Sequence, residues 1–194
     1  MLTTLYKITT SLIAASLITS AQANQITVNF SATYTAATCT ISAPASVSFN
    51  QGTHAQGVYS SDIQGEAIQQ PFTLQFSDCN NISGVSALPS ILVAGTVVTL
   101  NGEQLFSDNT GKSGEAIGYG VRLSTAGNSF FNTAENLAAN NILSAPPGTR
   151  VENLNNQQLN MKAVLTCGQQ DCADMTDRRG GELTARVIFR LRYE

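Results

Sequence analysis

Leu183-Thr184-Ala185-Arg186-Val187-Ile188-Phe189-Arg190-Leu191-Arg192-Tyr193 is the stretch on which the fold turns. Leu183, Ala185, Val187, Phe189, Leu191 and Tyr193 fall on one side of an extended chain. Thr184, Arg186, Arg190 and Arg192 fall on the other, with Ile188 the single apolar exception. A period of two with one greasy and one cationic face is that of a β-strand that buries one face. A sandwich strand has a partner on each side, or else an edge blunted by charge, proline or a bulge. The sequence runs only to Glu194, so the strand that should follow Tyr193 is expected from another chain.

Working back along the sequence, the same alternation recurs in Ile26, Val28, Phe30, Ala32, Tyr34 and Ala36, with Thr, Asn and Ser between them. Further strands are predicted at Val47–Phe49, Phe72–Phe76, Ile91–Leu100, Ile117–Leu123 and Leu159–Thr166. Turn-forming clusters separate them: Asn101-Gly102, Asp108 to Gly111, Gly127-Asn128 and Pro146-Pro147-Gly148. Thr133 to Leu143 reads as a short helix or an irregular connection. Many short strands without a strong helical stripe imply an all-β sandwich, and no internal repeat or linker divides it.

Lys7, the apolar run Ile8 to Ile18 and the small residues Ala21-Gln22-Ala23 form the pattern of a secretory signal peptide. Cleavage after Ala23 would leave a chain of 171 residues beginning at Asn24, enough for one domain with a core of its own. That chain carries nine Lys and Arg against thirteen Asp and Glu, a net charge of −4. Six of the nine cations lie from Lys162 onward without the interleaved aromatics of a nucleic-acid surface. The charged share, 12%, is about half of what globular domains usually carry, as suits an exported β-protein. Four cysteines allow three pairings. Cys39 and Cys79 each end a strand-like run and are paired across the core; Cys167 and Cys172 close a short loop.

Candidate chemistry is sparse. His54 is the single histidine and sits in a polar loop, and the C-x4-C spacing of Cys167 and Cys172 matches no zinc pattern. Gly111-Lys112-Ser113 resembles the end of a phosphate loop, but Phe106 stands where its first glycine is required. Asp171, Asp174 and Asp177 lack the spacing of a calcium loop. No nucleophile, base and orienting group assemble around one histidine. The reading is therefore a non-enzyme with no cofactor and no metal.

Several motifs in order resemble a known family, the pilus subunits of the chaperone–usher class, related to type 1 and P pilus subunits. They are Ala36-Ala37-Thr38-Cys39 after the alternating segment, Pro71-Phe72-Thr73-Leu74-Gln75-Phe76-Ser77-Asp78-Cys79, and Gly118-Tyr119-Gly120-Val121-Arg122-Leu123. To these is added a C-terminal pattern met by Gly181, the alternating positions and the penultimate Tyr193. The resemblance implies an incomplete immunoglobulin-like β-sandwich that lacks its final strand and is completed by a donor strand. It divides the chain into a signal peptide (1–23), a donor-strand extension (24–38) and the sandwich domain (39–194). In the extension, Val28, Phe30, Ala32, Tyr34 and Ala36 would enter a neighbour's groove; related extensions carry glycine at the position aligned with Ala32. Gly181, Leu183, Ala185, Val187, Phe189, Leu191 and Tyr193 would wall this chain's own groove.

The implied partners are a periplasmic pilus chaperone, an outer-membrane usher, neighbouring pilus subunits and a host-surface receptor, with no nucleic acid. The implied path runs through the periplasm to the cell surface, in a fimbria that supports adhesion, with this chain a minor structural subunit. The competing readings are a tip adhesin, a stand-alone secreted carbohydrate-binding β-sandwich and, on the weakest footing, a small secreted hydrolase.

The export signal and the even cysteine count predict an exported product that begins at Asn24 and carries no free thiol. Intact mass combined with thiol labelling checks both, and two reactive cysteines in the native protein would refute the pairing.

Overall fold

The computed structural model describes residues 38–50, 57–63, 67–80, 88–168, 172 and 177–193. The signal segment, the five positions assigned to the donor strand, His54, Asp171 and Asp174 lie outside these residues.

Among the described residues nine strands form two antiparallel sheets. In chain order they are β1 (Thr38–Ser42), β2 (Gln69–Asn80), β3 (Pro89–Gly95), β4 (Val97–Leu100), β5 (Glu103–Phe106), β6 (Gly120–Ser124), β7 (Ile142–Ser144), β8 (Gln158–Thr166) and β9 (Val187–Tyr193). The larger sheet runs β1-β2-β8-β6-β5-β4 and the smaller β7-β3-β9. The protein is all-β, an incomplete immunoglobulin-like sandwich. Short single-turn 3-10 helices at Ser60–Asp62 and Val151–Leu154 are the only helical pieces among the described residues.

Period-two patterning places the core. On β8, Leu159, Met161, Ala163 and Leu165 turn inward and are buried, as are Leu74 and Phe76 on β2. Ile91 and Val93 of the smaller sheet close over them, and Phe76 stacks on Phe131 with ring centroids 5.3 Å apart. A second, smaller cluster gathers Ile63, Ile68, Ala116, Tyr119, Leu165, Cys167 and Cys172.

The run Ile91–Leu100, read as one strand, is two. The chain leaves the smaller sheet at Gly95 and enters the larger one at Val97. A Cβ on Gly95 would lie 2.7 Å from the Arg186 carbonyl and 2.9 Å from the Phe106 ring, so only glycine fits this corner. Asn101 and Gly102 then turn the β4–β5 hairpin with φ of 47° and 81°, both left-handed, as a tight two-residue turn requires.

Two further expectations change, while Thr133–Leu143 takes the irregular alternative until β7 begins at Ile142. Val47–Phe49 forms no strand. The Cys39–Cys79 disulfide does not cross the core. It joins neighbouring strands of one sheet, β1 to β2, where the register slips between Thr38 and Thr40 and Asp78 takes a left-handed φ of 53°.

β9 pairs with β3 from Val187 to Tyr193, so the predicted strand is shorter at its start. Residues 182–186 lie along a different neighbour, the loop 108–116. The Asp108 amide donates to the Thr184 carbonyl at 2.8 Å, and the Ala116 amide to the Glu182 carbonyl at 2.9 Å. Side chains replace the ladder between them: Asn109 Oδ1 accepts from the Thr184 amide at 3.1 Å and Asp108 Oδ2 from the Arg186 amide at 2.8 Å.

Gly181 sits at the head of this segment. A Cβ there would lie 2.5 Å from both the Glu115 carbonyl carbon and the Gly114 oxygen. Gly181→Ala is expected to force the 108–116 loop away and destabilise the domain by about 1–3 kcal/mol, measured by chemical denaturation. A wild-type midpoint would remove the close approach as its reason for being glycine.

Candidate functional site

β1 follows β2 only from Asn80 back to Gln75. Beyond that point β2 pairs with no described residue on this side, and Pro71, which has no N–H to offer a ladder, lies in that part. The chain from Ala43 to Asn50 swings off as irregular backbone with Val47 and Phe49 turned half inward. β9 is the last strand of the smaller sheet. Among the described residues the two sheets are therefore unsealed along one side, between 43–50 and 180–189.

A cleft of about 730 Å³ occupies that seam. Val47 and Phe49 form one lip; Gly181, Leu183, Ala185, Val187 and Phe189 form the other. Phe72, Val121, Leu123, Ala163 and Leu165 make an apolar floor, which Ile63, Ala116 and Tyr119 extend toward Gly181. Phe189 lies against Phe72 at 6.2 Å between ring centroids. Leu191 and Tyr193 continue the same face, packed half-buried against the main cluster where β9 approaches β1, but they do not line the cleft. Burial raises the pKa of the Tyr193 phenol above its ordinary value of 10.0.

The exposure pattern of the lip sets it apart from the rest of the core. Leu159, Met161 and Ala163 of β8 are 0–3% exposed. On the alternating face from Leu183 to Tyr193 every side chain is half-buried, and every side chain between them is exposed. That is the profile of a sheet face covered on one flank only. Backbone geometry agrees. Thr184 and Arg186 turn their peptide groups toward the 108–116 loop. Strand alternation then sends those of Leu183, Ala185 and Val187 to the open side. The residues whose side chains enter the cleft thus also offer the backbone groups that another strand would bond.

The lip is held stiff from behind. Arg179 exchanges backbone hydrogen bonds with Ile117, and its guanidinium donates to the carbonyls of Gly111, Lys112 and Glu115. Glu115 returns the contact, its carboxylate accepting from the amides of Thr110 at 2.8 Å and Lys112 at 3.0 Å. Gly111-Lys112-Ser113 is a turn, and amides that a phosphate would need are taken by Glu115. Sequence reading missed this clasp. Its members sit about 65 residues apart and no local pattern links them.

Hydrogen bonds from Thr110 and then Lys112 pull the Glu115 carboxyl below its ordinary value of 4.5. A depressed carboxyl pKa gives stability that is present above the unfolded value and lost as pH falls through the folded one. The clasp should therefore loosen below about pH 4.5. Amide exchange at Thr110 and Lys112 should quicken there, and Glu115→Gln should show the quickened exchange already at neutral pH. Exchange that is pH-independent apart from its intrinsic rate would refute the role of the carboxylate.

The fimbrial protein family model matches residues 28–194. No curated protein matches the sequence.

Proposed function

This chain belongs to the fimbrial protein family, and from that premise we propose that it is a minor structural subunit assembled by donor-strand exchange through the chaperone–usher pathway. Membership makes it a subunit of a surface fimbria that meets other pilus subunits, in a family that is structural and not enzymatic. The finer reading rests on one observation, the half-buried alternating face from Leu183 to Tyr193 beside an open apolar cleft.

An added strand would bond the free backbone edge and lay alternate side chains into the cleft, the recognition mode in which the ladder supplies affinity and the pockets supply specificity. Burying a large apolar side chain fully stabilises by about 1.5–3 kcal/mol, and the lip residues are already half covered. Finishing the burial of the lip and of Phe72 therefore supplies several kcal/mol, a large fraction of a domain's net stability of about 5–15 kcal/mol. Such a chain is marginal alone and firm once complemented, which gives a periplasmic chaperone a reason to hold it before an usher delivers it to the fibre.

In this reading residues 24–38 form the donor segment. Val28, Phe30, Ala32, Tyr34 and Ala36 enter the preceding subunit's groove, with Ala32 bringing a methyl group to the place where related extensions carry glycine. A subunit with both a groove and a donor is internal or basal; the internal place is the one proposed here, and its contribution to adhesion is to carry a receptor-binding tip.

Val187→Asp puts a carboxylate into the cleft at a cost of several kcal/mol and should abolish co-purification with the chaperone. A peptide of residues 24–38 should displace the chaperone from the preceding subunit, and its Phe30→Asp variant should not. Normal chaperone capture by Val187→Asp would refute the groove. A wild-type peptide that binds no subunit of the fibre would leave a groove without a donor, and a tip adhesin would become the better reading.

A further inference from the structure

We propose that the Cys167–Cys172 disulfide positions the floor of the groove at its Gly181 end, so that it sets how tightly an incoming strand is held there. This rests on the strand-accepting reading above.

A five-residue separation would suit a plain staple on a surface loop. The burial argues otherwise, since Cys167 is 0% and Cys172 3% exposed. Both pack with Ile63, Ile68, Ala116, Tyr119 and Leu165. Four of those five, Ile63, Ala116, Tyr119 and Leu165, also line the cleft. One layer of side chains thus has the groove on one side and the disulfide on the other. The coupling through the chain is equally short: Leu165 and Cys167 are two residues apart, at the point where β8 ends.

The Cys167–Gly168 end of the disulfide is itself braced from outside. Gly168 lies so close to the β4–β5 hairpin that a Cβ there would come within 2.1 Å of the Leu100 carbonyl oxygen. At the hairpin tip the Asn101 side-chain Nδ2 donates to the Cys167 carbonyl at 2.7 Å. Thr166 Oγ1 accepts from the Gly168 amide at 3.1 Å and closes the turn. Hairpin tip, disulfide and groove floor are thus linked in that order by contact, the tip through the Cys167–Gly168 backbone and the cysteines through their shared cluster with the floor. Removing the middle member lets Leu165 and Tyr119 move outward into the space vacated, since interiors pack at close to crystal density and neighbours relax toward a void.

The opposite part of the groove has other supports. Phe189 packs on Phe72, and β9 is laddered to β3 through that stretch. The disulfide should therefore act locally along the groove.

The test uses the oxidised mature chain and a labelled peptide of residues 24–38, which carries the alternation that a donor must present. Wild type should bind it, and the paired variant Cys167→Ala/Cys172→Ala should bind about tenfold more weakly while keeping the Cys39–Cys79 bond. Leu165→Ala should lose most of its own effect in the disulfide-free background, whereas Phe189→Ala should add in full, because coupling marks shared contacts. A general loss of stability would act on both alike. Asn101→Ala, with the disulfide intact, should weaken binding several-fold in the same direction, and it decides the matter if the paired variant does not fold. Affinity within about twofold of wild type for the variant that folds, or equal coupling to Leu165 and Phe189, would overturn the inference while leaving the groove reading in place. A wild-type chain that binds neither this peptide nor the N-terminal segment of any other subunit of the fibre would overturn both.

Discussion

An unshared sheet edge that is greasy on its inner face governs this molecule. In most sandwiches an edge strand is short, charged or bent away, because a free ladder beside an apolar face recruits whatever strand comes near. Here β9 carries its charges, Arg190 and Arg192, on the outer face, where they do nothing to shield the cleft. The inner face stays half-covered over its whole length. The architecture keeps an attractive edge open, and the rest of the structure is arranged so that it stays open without collapse.

Collapse is resisted on both lips. Behind Leu183 and Ala185, the carboxamide of Asn109 and the carboxylate of Asp108 take the place of a neighbouring strand's peptide groups. Arg179 and Glu115 lock the loop that carries them. Opposite, the Cys39–Cys79 bond fixes β1 to β2, so the chain that continues into 43–50 leaves from a fixed point. Between the lips, the floor belongs to strands with partners on both sides, β8 and β6. An apolar cleft of this kind persists only if the backbone framing it cannot close, and each frame member here is tied by contacts that do not involve the cleft.

Much of this was legible in the sequence, for physical reasons that also explain what was not. The alternation from Leu183 to Tyr193 showed because burial of one face imposes a period of two whatever the partner is. The all-β class followed from the same signal repeated. Boundaries failed where side chains substituted for backbone: Leu183 to Arg186 alternates like a strand, yet Asp108 and Asn109 hold it in place of a ladder. The break at Gly95 was hidden inside a continuous apolar run, since the close approach of Arg186 and Phe106 that demands glycine is made by residues far away in sequence. The lip at Val47 and Phe49 was read as a strand because its residues alternate inward, and they do; what it lacks is a ladder partner. The clasp of Arg179 with Glu115 left no local trace at all.

The stability of the open domain divides unevenly. Leu74, Leu159, Val164 and Leu154 are wholly buried in the described structure, and their burial is independent of any added strand. The lip residues contribute a remainder that is realised only on complementation, since a half-buried side chain gains further only from the surface it still exposes. Under the proposed strand exchange, ligand linkage would make the complemented state more stable by an amount that grows with the strand's affinity and effective concentration. A fibre built that way would draw its cohesion from the same apolar area that each free subunit leaves exposed. On that proposal the cleft is an unfinished part of the core, and its lining, Phe72 and the half-buried lip from Leu183 to Phe189, would set how much stability one subunit can give another.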